Sequence, residues 1–340
     1  MSAAVAESLL DELRRASRGE VTAGLPLAPR TSVRVGGPAR FFVKPRDPEG
    51  LVAVLRFCAE AEVPWHPLGG GANTVVGDKG VEGVVLRLGS DFASERVEEL
   101  GDQVMVTLGA GAPGARLLAL AKEQRCVGVT SWGAGIPGTV GGWTAMNAGT
   151  PLGSMSDHLE AVEIATPSGL TWLSAGELHL GYRHCELPRG AILTRARCRI
   201  RRGTDVERGH EERAAKADLE KRRITQPLTQ PNSGSVFVNP PNNFAGRLIE
   251  EAGLKGTRRG GAQISTRHGN FIVNSGDATA QDVVELIALA RRAVENATGI
   301  VLQPEVRLVG TFSPPLPPEL EQHHQLPVLL PAPEAPAVAP

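Results

Sequence analysis

Apolar side chains recur at two spacings along the chain, and each spacing predicts one type of element. Spacing of three to four residues predicts helices over 8–15, 49–61, 115–124, 214–223 and 279–298, with Asp277 as a cap for the last. Short apolar and β-branched runs predict strands over 40–44, 83–88, 103–108, 159–166, 191–200, 235–239, 271–274 and 300–309. Because helices and strands mix without a regular βαβ repeat, we predict an α+β fold.

Glycine is concentrated in four short windows, at 36–37, 69–77, 109–114 and 133–149. Glycine adopts positive φ and lets the backbone approach other groups closely, so clusters at strand ends predict loops shaped around a ligand. Tight turns in a glycine-rich β domain are the alternative, and the spacing alone leaves it open.

Two glycine stretches, 109–114 and 133–138, match the dinucleotide fingerprint GxGxxG. A Rossmann unit also needs an acidic residue about 20 positions later to bind the ribose, and the sequence CVGVTSWGAG has none there. A proline inside each stretch also removes an N–H that a phosphate would use. The loops 68–76 and 136–149 can instead offer consecutive backbone N–H groups, and two such loops suit a long, bent cofactor such as FAD.

Composition argues against several classes of protein. Among the 340 residues, 36 Lys and Arg balance 37 Asp and Glu, and this near-zero charge argues against a nucleic-acid partner. No apolar run approaches the ~20 residues of a membrane span, and MSAAVAESLLDELRR lacks the pattern of a signal peptide. The cysteines are too far apart for a zinc site, so we expect reduced thiols, no metal and a cytoplasmic location.

Residues 311–340 contain nine of the 26 prolines and no glycine. This composition predicts an extended, disordered tail. A proline-rich docking ligand is the functional alternative.

Eight motifs occur in the order, and at about the spacing, of one family of flavoenzymes. They are TSVRVGGPARFFVKP, PLGGGANTVVGDKG, GIPGTVGGWTAMNAGTPLG, GYRHCEL, QPLTQPNSGSVFVNP, FAGRLIEEAGLKG, RHGNFIVNSGDATAQDVVELI and LQPEVRLVG. From residue 20 to 310 the chain thereby resembles the UDP-N-acetylenolpyruvoylglucosamine reductases. Only 52 positions separate Arg183 from Ser235, which resembles the shorter type II branch of that family.

The resemblance implies an arrangement of domains. A two-part FAD-binding domain of the vanillyl-alcohol-oxidase type would occupy 1–92 and 93–205. An α+β substrate-binding domain would follow at 206–310, with its final strand returning to the active site, and the tail at 311–340 would close the chain. The resemblance also implies non-covalent FAD, NADPH as co-substrate, a monomer, and a cytoplasmic step of peptidoglycan synthesis.

The reaction implied by the resemblance passes hydride from flavin N5 to an enol ether of UDP-N-acetylglucosamine, and a proton then completes UDP-N-acetylmuramate. Ser235 matches the proton donor, although a serine in such a turn could bond its own backbone instead. Arg183 matches the arginine that grips the carboxylate, although a surface ion pair is its ordinary role. Glu305 matches the glutamate that works beside the serine, although a strand pair with Arg307 is the alternative.

Two further groups of residues match binding positions of the family. Those expected around FAD are Arg34, Gly69, Gly70, Gly71, Ala72, Asn73, Thr74, Ile136, Pro137, Gly138, Thr139, Gly141, Gly142, Asn147, Ala148 and Gly149. Those expected around the substrate are Tyr182, Arg222, Asn239, Arg247 and Arg307.

The chain departs from the family pattern at two positions. Val238 stands where many relatives have a lysine for the UDP diphosphate, so Arg247 or Lys255 would have to substitute for it. Cys185 stands where the family usually has a serine. Two other functions stay open at this point: an FAD-dependent oxidoreductase of hydroxy acids with the same fold, and a non-catalytic nucleotide-binding protein.

Overall fold

The computed structural model describes residues 3–325 and Val328, and its first elements form a four-stranded sheet covered by two helices. The strand order is β1-β2-β5-β3, with β2, β5 and β3 parallel. Leu13, Leu51 and Trp65 are fully buried in the core between the helices and the sheet. The elements are α1 (Ala3–Ser17), β1 (Glu20–Pro26), β2 (Pro38–Lys44), α2 (Pro48–Glu60), β3 (Trp65–Pro67), β4 (Thr74–Val76) and β5 (Val81–Leu86).

The second group of elements is an antiparallel five-stranded sheet with the order β11-β10-β12-β7-β6. Trp132 and Trp143 are buried in its core, and the centroids of their rings are 5.5 Å apart. The first residue of α3, Gly114, must be glycine, because a Cβ there would lie 2.2 Å from the Trp143 ring. The elements are β6 (Glu95–Leu100), β7 (Gln103–Gly109), α3 (Gly114–Glu123), α4 (Thr130–Gly133), α5 (Val140–Ala145), β8 (Gly149–Thr150), β9 (Gly153–Ser154), β10 (Leu159–Thr166), β11 (Gly169–Ser174) and β12 (Ile192–Arg201).

The third group is built around one long buried helix, α8, and the small sheet β13-β14-β15. Thr279, and not the predicted Asp277, caps α8, because its side chain and that of Asp282 form a reciprocal capping box. The elements are α6 (Asp205–Thr225), α7 (Ala245–Glu251), β13 (Arg258–Arg259), β14 (Ala262–Ile264), β15 (Ile272–Asn274), α8 (Ala280–Thr298), β16 (Arg307–Val309), α9 (Pro318–Glu321) and β17 (His324–Gln325).

Two connections join these groups around one space. Strand β16 returns to the first group and pairs in parallel with β4, with Arg307 opposite Thr74. Helix α6 lies against the second group, because Glu211 accepts the N–H groups of Gly128 and Ser131. The predicted domain boundary at 206 therefore falls at the start of a helix that packs on the second group. The four boundaries as a set stay a prediction.

One predicted strand is absent and another is shorter than predicted. Residues 235–239 form an isolated bridge between Phe237 and Pro304 instead of a strand, and the side chain of buried Asn270 bonds both the N–H and the carbonyl of Phe237. The predicted strand over 300–309 is reduced to Arg307–Val309, where pairing with β4 begins.

The prediction of a disordered tail is wrong for residues 311–325. Phe312, Leu316 and Leu320 are buried in the same core as α8, and β17 pairs with β16. Val328 exchanges backbone hydrogen bonds with Trp65. Apolar side chains between the prolines thus find partners that are distant in sequence. Residues 326, 327 and 329–340 lie outside the described residues. They include part of the proline-rich segment that was considered as a docking ligand.

No helix in the described part of the chain is both long enough and apolar enough to span a membrane. Within residues 3–325 and Val328, no group of three acidic, histidine or cysteine side chains is placed to hold a metal ion.

Candidate active site

One cavity of about 1970 Å³ lies where the three groups of elements meet. Both glycine loops line it, together with α6, the turn that carries Ser235, and the strand that carries Arg307. A drug-sized ligand typically occupies ~300–1,000 Å³, so this cavity can hold a long cofactor and a second ligand together.

The first glycine loop, residues 68–73, connects β3 to β4 and presents unused backbone donors. The N–H groups from Gly69 to Asn73 have no hydrogen-bond acceptor among the described residues. Gly71 has φ +69°, and a Cβ there would lie 2.1 Å from the Arg30 carbonyl oxygen. Consecutive free N–H groups in a turn of this kind form a concave anion site.

The second glycine loop, residues 135–139, touches the first. A Cβ on Gly70 would lie 2.9 Å from the Cα of Gly138, so only glycine permits this approach. The N–H groups of Gly138 and Thr139 also lack acceptors in the part of the chain that the structure describes. Free donors on two touching loops fit the diphosphate of FAD without a lysine.

The other fingerprint, residues 109–114, cannot serve a phosphate in the same way. The N–H groups of Gly109, Gly111 and Gly114 donate to backbone carbonyls of Ser94, Phe92 and Gly138. These glycines allow close packing, and the structure supports the argument against a Rossmann unit.

Fourteen of the sixteen residues predicted around FAD line the cavity, and Gly141 and Asn147 do not. The Gly141 N–H donates to the Ala110 carbonyl, and a Cβ at Gly141 would lie 2.8 Å from that of Ala110. Buried Asn147 donates to the Gly181 carbonyl and accepts the Ser156 N–H. Both residues therefore support the loop from outside the cavity lining, and their contact with FAD stays a prediction.

Arg183 and Glu305 both line the cavity and form an ion pair, with Nε and Oε1 3.0 Å apart. Burial raises the pKa of the Glu305 carboxyl, while the Arg183 guanidinium opposes that rise. Arg183 also donates to the Gly149 carbonyl. The expected alternative pair of Glu305 with Arg307 does not form, because the Glu305 side chain turns to Arg183.

Ser235 is partly buried and lines the same cavity. Its hydroxyl makes no hydrogen bond to the described residues, and the side chain of Asn232 accepts the Gly234 N–H in its place. The alternative role of a turn serine bonded to its own backbone is therefore not observed. The next carbonyl, that of Val236, accepts the N–H of Glu305 at 2.8 Å, which brings the two segments side by side.

Arg307 lines the cavity and has no acidic partner among the described residues. One of its Nη atoms donates to the Ala145 carbonyl at 3.3 Å, which leaves its other N–H donors available. Burial lowers the pKa of the guanidinium. Burial also raises the pKa of the neighbouring Cys185 thiol to about 11, so this residue stays a neutral thiol.

The other residues predicted around the substrate also line the cavity, but several have protein partners. Arg222 donates to the carbonyls of Ala134 and Gly135, so it positions the second glycine loop. Asn239 caps α7 through the Ala245 N–H. Tyr182 and Arg247 are exposed at the rim. Val238, unlike Asn239, is absent from the cavity lining.

Sequence reasoning missed three cations that line the cavity, Arg30, Arg87 and the exposed Lys221. Arg87 lies in the apolar run VVLRL, and an isolated cation in such a run is the signal that could have identified it. Arg30 lies in a short turn and gave no comparable signal. His66 was missed as well, and burial lowers its pKa to about 4, so its ring is neutral.

Comparison with known proteins identifies two domains and close relatives. Residues 39–174 match the family model of an FAD binding domain. Residues 226–309 match the C-terminal domain of UDP-N-acetylenolpyruvoylglucosamine reductase. The enzyme of that name from Anaeromyxobacter sp. (strain Fw109-5) is 52% identical over 88% of this chain and 92% of its own length. The one from Myxococcus xanthus is 49% identical over 86% and 93%.

A solved structure supports the same relationship. The crystal structure of UDP-N-acetylenolpyruvylglucosamine reductase from Thermus caldophilus has a TM-score of 0.69 and 37% identity, covering 86% of this chain and 98% of that one. The predicted α+β class, with an FAD-binding domain ahead of a family-specific C-terminal domain, is confirmed. The chain therefore belongs to the UDP-N-acetylenolpyruvoylglucosamine reductase family and is an FAD-dependent oxidoreductase.

Proposed function

We propose that this protein reduces UDP-N-acetylglucosamine enolpyruvate to UDP-N-acetylmuramate with NADPH, as a monomer with non-covalent FAD in the cytoplasm. Such a reaction belongs to peptidoglycan synthesis. The names of its relatives support this substrate. The observation that carries the proposal is the free Ser235 hydroxyl, which shares one cavity with the Arg183–Glu305 pair and the unpaired Arg307.

The reaction adds one hydride and one proton across the carbon–carbon double bond of the enol ether. When bound, FAD carries the hydride that NADPH provides. Negative charge then develops on the α-carbon and the carboxylate of the substrate. Arg307 stabilises it with its free donors, and Arg183 contributes the donors that Glu305 and Gly149 leave unused.

Ser235 gives its hydroxyl proton to the α-carbon, and Glu305 relays a proton from water back to the serine oxygen. A serine is a weak acid in water, but the carbanion-like centre is far more basic and the hydroxyl has no competing partner among the described residues. The raised pKa of Glu305 suits this second role, because its carboxyl holds a proton at higher pH than an exposed glutamate would.

NADPH and the enolpyruvyl substrate would use the same cavity in turn. Support comes from the size of the cavity and from the fingerprint at 109–114, whose glycine N–H groups are all bonded within the protein and so are not free to hold a second nucleotide.

Absorbance spectroscopy of the purified protein tests the proposal. Bound oxidised flavin should absorb near ~450 nm, NADPH should bleach it without oxygen, and UDP-N-acetylglucosamine enolpyruvate should restore it. UDP-N-acetylglucosamine, which lacks the double bond, is the control and should restore nothing. A protein that NADPH bleaches but that only oxygen recolours would contradict the proposed substrate.

A further inference from the structure

Two arginines that line the cavity stand beside the first glycine loop, and neither has an assigned role. Arg87 directly follows β5, and the Leu86 carbonyl accepts the Leu68 N–H at 2.8 Å. Arg30 lies against the middle of the loop, since a Cβ on Gly71 would lie 2.1 Å from the Arg30 carbonyl oxygen and the N–H of Ser32 donates to the Gly71 carbonyl at 2.9 Å. Backbone hydrogen bonds thus fix both arginines against the loop.

The local fold points both side chains into the cavity. Leu86 and Leu88 flank Arg87 in sequence and pack into apolar cores, while Arg87 lines the cavity. The Arg30 guanidinium lies 5.5 Å from the centroid of the Phe42 ring, which holds it by a cation–π contact. The two cations face the same space as the five free N–H groups of the loop.

Neither arginine has a carboxylate partner within 4 Å among residues 3–325 and Val328. Burial lowers the pKa of the Arg87 guanidinium, and the nearby Arg30 lowers it further. Partly buried cations are normally paired, and two that face each other repel. Their arrangement is favourable when an anion lies between them and the loop.

We propose that Arg30 and Arg87 bind the diphosphate of FAD together with the N–H groups of the first glycine loop. The inference deepens the proposed function, since it rests on FAD binding, and it assigns the charge neutralisation that backbone N–H groups alone leave incomplete. It makes these arginines cofactor-binding residues and leaves the substrate diphosphate to other groups.

Flavin titrations of the full-length protein freed of FAD test this inference, with riboflavin as the probe that lacks the diphosphate. Arg87→Met should raise the Kd for FAD by about 10- to 100-fold, as expected for the loss of charge-assisted hydrogen bonds, and leave the Kd for riboflavin unchanged. Arg30→Met should act in the same direction. Arg87→Lys keeps a charge and should recover part of the affinity.

Lys79→Met is the matched control, because Lys79 is an exposed cation that does not line the cavity. Equal losses for FAD and riboflavin in both arginine variants would overturn the inference, since they would indicate a structural role. An unchanged Kd for FAD, or weaker binding of the UDP-sugar substrate in its place, would overturn it as well. If the unaltered protein failed to bind FAD, the flavin-based function itself would be wrong.

Discussion

Two sets of residues that line the cavity differ in how their charges are paired. In the first, called the reaction end and made of Ser235, Arg183, Glu305 and Arg307, one ion pair forms, while the Ser235 hydroxyl is free and Arg307 has no acidic partner among the described residues. In the second, called the FAD end and made of the first glycine loop with Arg30 and Arg87, five N–H groups and both arginines have no acceptor or carboxylate partner in the described chain. A site that releases its ligand in every turnover can form an internal ion pair between turnovers. In a site that keeps its ligand, the bound anion can serve as the permanent partner of the cations and N–H groups.

The largest expected effect lies at the reaction end. In Ser235→Ala, reduction of the flavin by NADPH should proceed as before, while reoxidation by the enolpyruvyl substrate slows by about 10²- to 10⁴-fold. Stopped-flow absorbance of each half-reaction makes the measurement. If both half-reactions slowed equally, Ser235 would be structural and the proposed proton transfer would be wrong.

The next effect concerns the segment that follows β16, of which Gln325 and Val328 line the cavity. Leu320→Ala removes a fully buried side chain from the core around α8 and should lower the free energy of unfolding by about 2–5 kcal/mol. Denaturant unfolding measures this. Exposed Glu321→Ala on the same helix is the control and should change little. An unaffected Leu320→Ala protein would restore the prediction of a disordered tail.

A smaller effect is expected at Arg307, which has no acidic partner in the described chain. Arg307→Met should raise the KM for the enolpyruvyl substrate by about 10- to 100-fold, because charge-assisted hydrogen bonds to the carboxylate are lost, while the FAD content is unchanged. Lys79→Met is the control, since Lys79 is an exposed cation that does not line the cavity. A loss of FAD from Arg307→Met would contradict this prediction, because Arg307 would then contribute to FAD binding.

The sequence predicted the reaction end better than the FAD end. Ser235, Arg183 and Glu305 lie in motifs that mark them individually, and all three line the cavity. Arg87 lies within a strand run and Arg30 in a turn, so their meeting depends on pairing between β3 and β5 and on the Gly71 turn. Segments so far apart in the sequence can meet in the fold without any motif in either segment that predicts the contact.

The C-terminal segment shows why composition can mislead. Nine prolines predicted disorder, but proline only restricts the backbone and does not prevent burial of neighbouring side chains. Leu316 and Leu320 are buried in the apolar core around α8. The sequence alone does not reveal that this core has room for side chains from the C-terminal segment. The strand expected at 235–239 was lost for a similar reason, because Asn270 supplies its hydrogen bonds from another segment.

Phosphorus NMR of the FAD-loaded protein tests the division of the cavity most directly, because FAD and the UDP-sugar each carry two phosphorus atoms with separate resonances. In Arg87→Met, the resonances of bound FAD should shift relative to the unaltered protein, while those of bound UDP-N-acetylmuramate stay in place. Shifted UDP-sugar resonances with unchanged FAD resonances would contradict the account, since Arg87 would then belong to the end that exchanges its ligand.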